Sequence, residues 1–135
     1  MDMGSINYLA VVAAAVSTFL IGGLWYSPLL FQKVWMKSNG LTEEDLGKGN
    51  PAKTFGFSFV FALVMAFNLA MFLADPGTTL TWGMIAGALA GVGWVAMAIA
   101  TIALFEQKSW GYIAINGGYQ IVAFIVMGAI LGAWR

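Results

Sequence analysis

The run Gly22-Gly23-Leu24-Trp25-Tyr26-Ser27-Pro28-Leu29-Leu30-Phe31-Gln32-Lys33-Val34-Trp35-Met36-Lys37 is where the chain passes from an apolar environment to an aqueous one. Residues 6–23, ahead of this exit, carry no ionisable side chain except the phenol of Tyr8. Gly22 and Gly23 close that apolar stretch, and Trp25 and Tyr26 are amphipathic rings of the kind that settle at the headgroup level of a bilayer. Ser27 before Pro28 reads as an N-cap followed by proline at the first helical position, which predicts a new helix over residues 28–38. On that helix Leu30, Phe31, Val34 and Trp35 share one face while Gln32, Lys33 and Lys37 share the other, the pattern of a helix lying in the interface plane with its cations toward anionic lipid.

Composition points the same way. Of 135 residues, 61% are hydrophobic and only 9% are charged, far outside the range of a water-soluble domain. The formal net charge is zero, so no basic field recommends a nucleic acid as partner. With no cysteine and no histidine, disulfides, thiolate nucleophiles and the commonest metal ligand are all missing. No catalytic residue, metal ligand or cofactor is therefore expected, and the chain is read as a non-enzyme.

Outward from the exit, four apolar segments at about residues 6–25, 55–74, 82–105 and 112–134 each approach the ~20 residues that a helix needs to cross hydrocarbon. They predict a single all-α membrane domain of four transmembrane helices, with an interfacial helix after the first. The tail from Met1 to Tyr8 lacks lysine and arginine, so the charged start of a cleavable signal peptide is missing. Lys33, Lys37, Lys48 and Lys53 lie in the first loop and Lys108 in the third, whereas the second loop has no cation. The positive-inside rule then places both termini outside and the first and third loops in the cytoplasm of a bacterial inner membrane.

In the first loop, Asn39-Gly40 reads as a helix stop, Thr42-Glu43-Glu44-Asp45 as a capping box, and residues 47–51 as a loop. Gly47-Lys48-Gly49 has neither the glycine spacing nor the following Ser or Thr of a phosphate-binding loop. Within the spans, small residues recur at helical spacing: Ala10, Ala14, Thr18 and Gly22 in the first, Ser58, Ala62, Ala66 and Ala70 in the second. The densest series is Gly83, Gly87 and Gly91 in the third, with Gly128 and Gly132 in the fourth, which lets backbones approach closely within or between subunits. Trp94 reads as lying near the same face, filling a groove beside the glycines, and Asn68 as bonding across helices.

The candidate site is a polar face in the cytoplasmic half. Tyr112, Asn116, Tyr119 and Gln120 share one side of the fourth span, Thr101 lies at similar depth, and Tyr26 and Glu106 approach from the rim. Such a cluster either receives a small polar solute or acts as glue between helices. No Asp, Glu, Lys, Arg or His falls inside the four apolar cores, which argues against proton relays and ion-coupled carriers.

The motif Gly22-Gly23-Leu24-Trp25-Tyr26-Ser27-Pro28-Leu29-Leu30-Phe31, with Trp35-Met36, Leu41-Thr42-Glu43-Glu44-Asp45-Leu46, Asn116-Gly117-Gly118-Tyr119 and the closing stretch from Gly128 to Trp134, resembles the bacterial membrane family catalogued as domain of unknown function 1761. Where that family usually has glycine after the phenylalanine, this chain has Gln32. The resemblance implies a small multi-span membrane protein and brings no activity with it. Two functions are carried forward: a self-associating homo-oligomer in membrane lipid with a structural or regulatory role, and an oligomeric channel or carrier for an uncharged or weakly polar solute.

Overall fold

The computed structural model describes residues 6–135; residues 1–5, which hold most of the tail read above as lacking lysine and arginine, lie outside it. The described residues form helices, with no strand among them. They are α1 (Tyr8–Trp25), α2 (Gln32–Asn39), α3 (Glu43–Leu46), α4 (Pro51–Phe72), α5 (Leu80–Ala90), a π-helical segment (Gly91–Ala96), α6 (Met97–Phe105) and α7 (Trp110–Ala133). Four rods result, because α5, the π segment and α6 run on as one, and each is long and apolar enough to cross a membrane.

The rods alternate in direction, and α7 is the hub. Its most extensive interface is with α5, followed by those with α1 and the π segment, while α4 rests chiefly on α1 and only slightly on α7. The buried cluster is built from small and medium residues of α1, α4 and α7, with Ala10, Ala14, Ala62, Ala66 and Met127 at its centre. These side chains are short enough for the backbones to close up, which is how helices associate in lipid without a hydrophobic driving force between them.

The glycine ridges of α5 and α7 face each other inside the chain. A Cβ built on Gly83 would collide with the carbonyl oxygen of Gly128, one on Gly87 with that of Phe124, and one on Gly128 with that of Gly83. One on Gly132 would stand 2.6 Å from Thr79 O, and one on Gly91 3.1 Å from Ile121 Cα. At Gly83, Gly87, Gly128 and Gly132 backbone meets backbone, so no side chain larger than hydrogen fits without a shift, while the contact at Gly91 is less tight.

Side-chain and glycine caps set the helix ends. Thr79 Oγ1 accepts from Trp82 N at 3.1 Å and Ser109 Oγ from Tyr112 N at 3.1 Å, starting α5 and α7. Gly40 ends α2 at φ 64°, a left-handed conformation that glycine adopts without cost. Thr42 and Asp45 form a reciprocal box, Thr42 N donating to Asp45 Oδ2 at 2.9 Å and Asp45 N to Thr42 Oγ1 at 3.2 Å.

Four expectations are corrected. The helix after the exit begins at Gln32 and not at Pro28, because Ser27 Oγ donates back to Leu24 O at 2.6 Å instead of capping forward. Phe31 N then reaches Trp25 O at 3.1 Å, so residues 26–31 fold as consecutive turns. The second rod begins at Pro51, four residues ahead of Phe55, since Asn50 caps it by accepting from Lys53 N at 3.2 Å and proline takes the first helical position. Asn68 is exposed and donates to Val64 O of its own helix at 2.9 Å instead of crossing to another.

Trp94 is the fourth correction, and the π segment explains it. In an unbroken α-helix the stripe Gly83, Gly87, Gly91 continues to residues 94 and 95. The π turn adds a residue to the loop between hydrogen-bonded groups, so the buried position five residues on from Gly91 is Ala96, which an added Cβ on Gly117 would meet at 3.5 Å. Trp94 is thereby rotated outward and is 68% exposed, with its ring edge toward Phe72 at a centroid distance of 6.3 Å.

Candidate functional site

The antiparallel pairing of α1 with α7 brings the aromatic exit of α1 against the first half of α7. Trp25 Nε1 donates to Ile115 O at 2.9 Å, Tyr26 Oη donates to Asn116 Oδ1 at 2.7 Å, and Tyr119 Oη donates to Thr18 O at 2.8 Å. Both carbonyls lie within helices, so each uses a lone pair that the i+4 amide leaves free. Asn116 Nδ2 donates to Tyr112 O at 3.1 Å, which turns its amide oxygen toward Tyr26.

Each residue of the stretch Asn116-Gly117-Gly118-Tyr119 has a distinct task. Asn116 takes the Tyr26 hydroxyl, Gly117 admits Ala96, and Gly118 seats the Trp25 indole, whose Cζ2 would stand 3.1 Å from an added Cβ. Tyr119 lies over Gly22, where an added Cβ would meet its hydroxyl at 3.3 Å. The rings close on one another as well: Tyr26 and Tyr119 pack edge to face at 5.4 Å, Trp25 against Phe31 at 4.7 Å, and Tyr26 against Trp35 at 5.8 Å. The turns after Ser27 are what fold Phe31 and Trp35 back over the two exit aromatics.

Of the predicted site residues, Tyr26, Tyr112, Asn116 and Tyr119 are thus brought together. Tyr112 contributes its carbonyl, and the Lys108 ammonium lies 5.5 Å from its ring centroid. Thr101 stands apart, exposed and donating to Met97 O at 2.9 Å. Glu106 is exposed at the end of α6 and lines a different groove. Gln120 is half-buried, and its amide makes no hydrogen bond among the described residues. The glycines at 83, 87, 91, 128 and 132 gather at the α5–α7 contact, and Trp94 does not join them.

Sequence reasoning passed over Arg135. Its guanidinium donates to Leu73 O at 2.6 Å and Asp75 O at 2.7 Å, tying the end of α7 to the C-cap of α4 and to the turn that follows it. Asn7 completes that end by capping Ala10 N at 3.1 Å and donating to Trp134 O at 3.5 Å. Chemically, the joint near Tyr26 is a set of neutral donors aimed at acceptors within the chain. Among the described residues no three His, Cys, Asp or Glu side chains gather where a metal ion would need them.

Four antiparallel apolar rods, locked at one end by aromatic and amide side chains and at the other by an arginine, define a multi-pass helical membrane protein. Within that class the chain belongs to the family described as Protein of unknown function (DUF1761), whose family model matches residues 9–132. The residues that carried the resemblance, from Trp25 and Tyr26 to Asn116 and Tyr119, are the ones that build the joint. No curated protein and no solved structure matches the chain.

Proposed function

We propose that this protein is a non-enzymatic, self-associating component of the bacterial cytoplasmic membrane with a structural or regulatory role, both termini outside and the first and third loops in the cytoplasm. The observation that carries this reading is the internal satisfaction of the joint: Tyr26, Trp25, Tyr119 and Asn116 spend their donors on one another and on backbone carbonyls. A receptor keeps donors or acceptors vacant for its ligand, whereas glue between helices does not. The glycine ridges are consumed within the chain, so contact between copies falls to another face. The face that recommends itself carries outward-turned Trp94 and Gly93, the latter open to space, beside a groove of about 280 Å³ lined by Leu69, Phe72, Trp82 and Leu89.

The absence of cysteine makes the test direct. Gly93→Cys in native membranes is expected to cross-link copies under oxidation, and Phe57→Cys on the outer face of α4 is not. A chain that stays monomeric with both variants and at every concentration in detergent retires self-association.

One observation favours a second reading, a channel or carrier for a weakly polar solute. Gln120 is half-buried, its amide is not enclosed and has no hydrogen-bond partner among the described residues, and in lipid such a group calls for water, a solute or a neighbouring subunit. Proteoliposome flux that disappears when Asn116 and Gln120 are both replaced by Leu would support this reading, and flux indifferent to that change would remove it.

A further inference from the structure

Beside the joint, α2 and the turn between α6 and α7 enclose a groove of about 480 Å³ that the reading above does not use. It lies just past the membrane-crossing rods and is lined by Lys37, Ser38 and Asn39 from the end of α2, and by Glu106, Lys108 and Ser109 from the turn. Two lysines thus line one cleft from separate elements. Neither is paired with a carboxylate among the described residues, where the recorded ion pair is Lys48 with Asp45 at 3.5 Å. Glu106 is the single acid on the lining, which leaves the groove with a net positive charge.

We propose that this groove binds the headgroup of an anionic phospholipid, with Lys37 and Lys108 holding the phosphodiester from opposite walls. Charge complementarity argues for an anion, and the surroundings argue for one attached to a lipid. The turn is bordered by Phe105 and Trp110, which are 86% and 73% exposed, so apolar rings stand directly on the membrane side of the cations. An anionic head above and hydrocarbon below match that order, whereas a free inorganic anion has no use for the rings. The Lys108 ammonium is steadied at 5.5 Å from the Tyr112 ring, and Ser38 and Asn39 are fixed by bonds to Val34 O at 2.8 Å and Trp35 O at 2.9 Å, so the walls are ordered before the lipid arrives. Occupancy would also pin α2, which has no buried residue of its own, against α7. The proposal is independent of whether copies of the chain associate.

Native mass spectrometry of the purified protein, offered phosphatidylglycerol or phosphatidylcholine with identical acyl chains, tests it. The wild type is expected to retain phosphatidylglycerol preferentially. Lys37→Gln and Lys108→Gln should each lower that retention about fivefold, the effect of one cation near an anionic lipid surface. Lys48→Gln and Lys53→Gln, each an equal charge change outside the groove, should leave it unaltered. Lys37 is exposed and its side chain makes no hydrogen bond or ion pair among the described residues, so its variant stays informative if Lys108→Gln, whose ammonium lies against Tyr112, fails to fold. Equal retention of the two lipids, equal loss in the control pair, or displacement of the lipid by soluble glycerol phosphate at matched concentration would each overturn the proposal.

Discussion

Tyr26 and Asn116 show how far single residues can be read. The polar character of Tyr26, Asn116 and Tyr119 is plain in an otherwise apolar chain, and their spacing puts the last two on one face. Their partners were not legible, because a donor's partner depends on the antiparallel register that sets Trp25 beside Ile115 and Thr18 beside Tyr119. Replacing Tyr26 with Phe keeps the ring contacts and deletes only the hydroxyl bonded to Asn116, so a loss of about 1 kcal/mol in unfolding free energy is expected. Asn116→Leu should cost a similar amount, and a double-mutant cycle between the two should yield a coupling of about 0.5–1.5 kcal/mol. Additive effects would show that the bond contributes nothing. At Asp45, hydrogen bonds from the Thr42 amide and hydroxyl hold the carboxyl below its usual range, with a smaller contribution from Lys48. A carboxyl depressed on folding stabilises above its unfolded pKa and loses that contribution as pH falls through its folded pKa. The protection of the Asp45 amide, its exchange compared with the unstructured rate at the same pH, should therefore fall on acidification through and below the ordinary carboxylate range, and Asp45→Asn should flatten that dependence.

Among the elements, the four rods follow from apolar runs of membrane length, and the short turn at residues 42–45 from its capping-box pattern. Two features escaped, each for a local reason. Ser27-Pro28 carries a helix-start signal, but the Ser27 hydroxyl is taken by Leu24 O behind it. The π turn has no compositional mark, since Gly91-Val92-Gly93-Trp94-Val95-Ala96 reads as ordinary helix until the packing of Ala96 on Gly117 is known. A π turn amounts to one residue too many in a helix. Deleting Gly93 should accordingly restore regular α geometry with both flanking stripes in register, whereas deleting Ile85 breaks the spacing between Gly83 and Gly87. Thermal unfolding in detergent is expected to show the first deletion tolerated and the second destructive. At the α5–α7 contact, Gly87→Leu drives a side chain into the Phe124 backbone and should cost at least about 3 kcal/mol, while Phe57→Leu on an exposed face should cost under about 1 kcal/mol. Equal effects would mean that the glycine stripes do not meet.

Over the whole molecule, alternating rods place the first and second loops at opposite ends, and the Asn7–Trp134 contact puts the start of α1 beside the end of α7. The sequence held this alternation implicitly in its span count. It did not reveal that α5 and α7 spend their glycines on each other, because a small-residue stripe looks the same whether its partner is in the same chain or another. In intact cells, Gly49→Cys is expected to resist an impermeant thiol reagent while Pro76→Cys reacts, and labelling of both would refute the span assignment. The hub position of α7 also dictates how the protein is made. Of the four rods it leaves the ribosome last, yet it supplies the matching wall for α5, the ties for Trp25 and Tyr26, and the arginine that closes α4. A nascent chain stalled before Trp110 therefore sits in the bilayer with three inserted segments and an open glycine furrow, a ready substrate for insertase chaperones or quality-control proteases until translation delivers the closing piece.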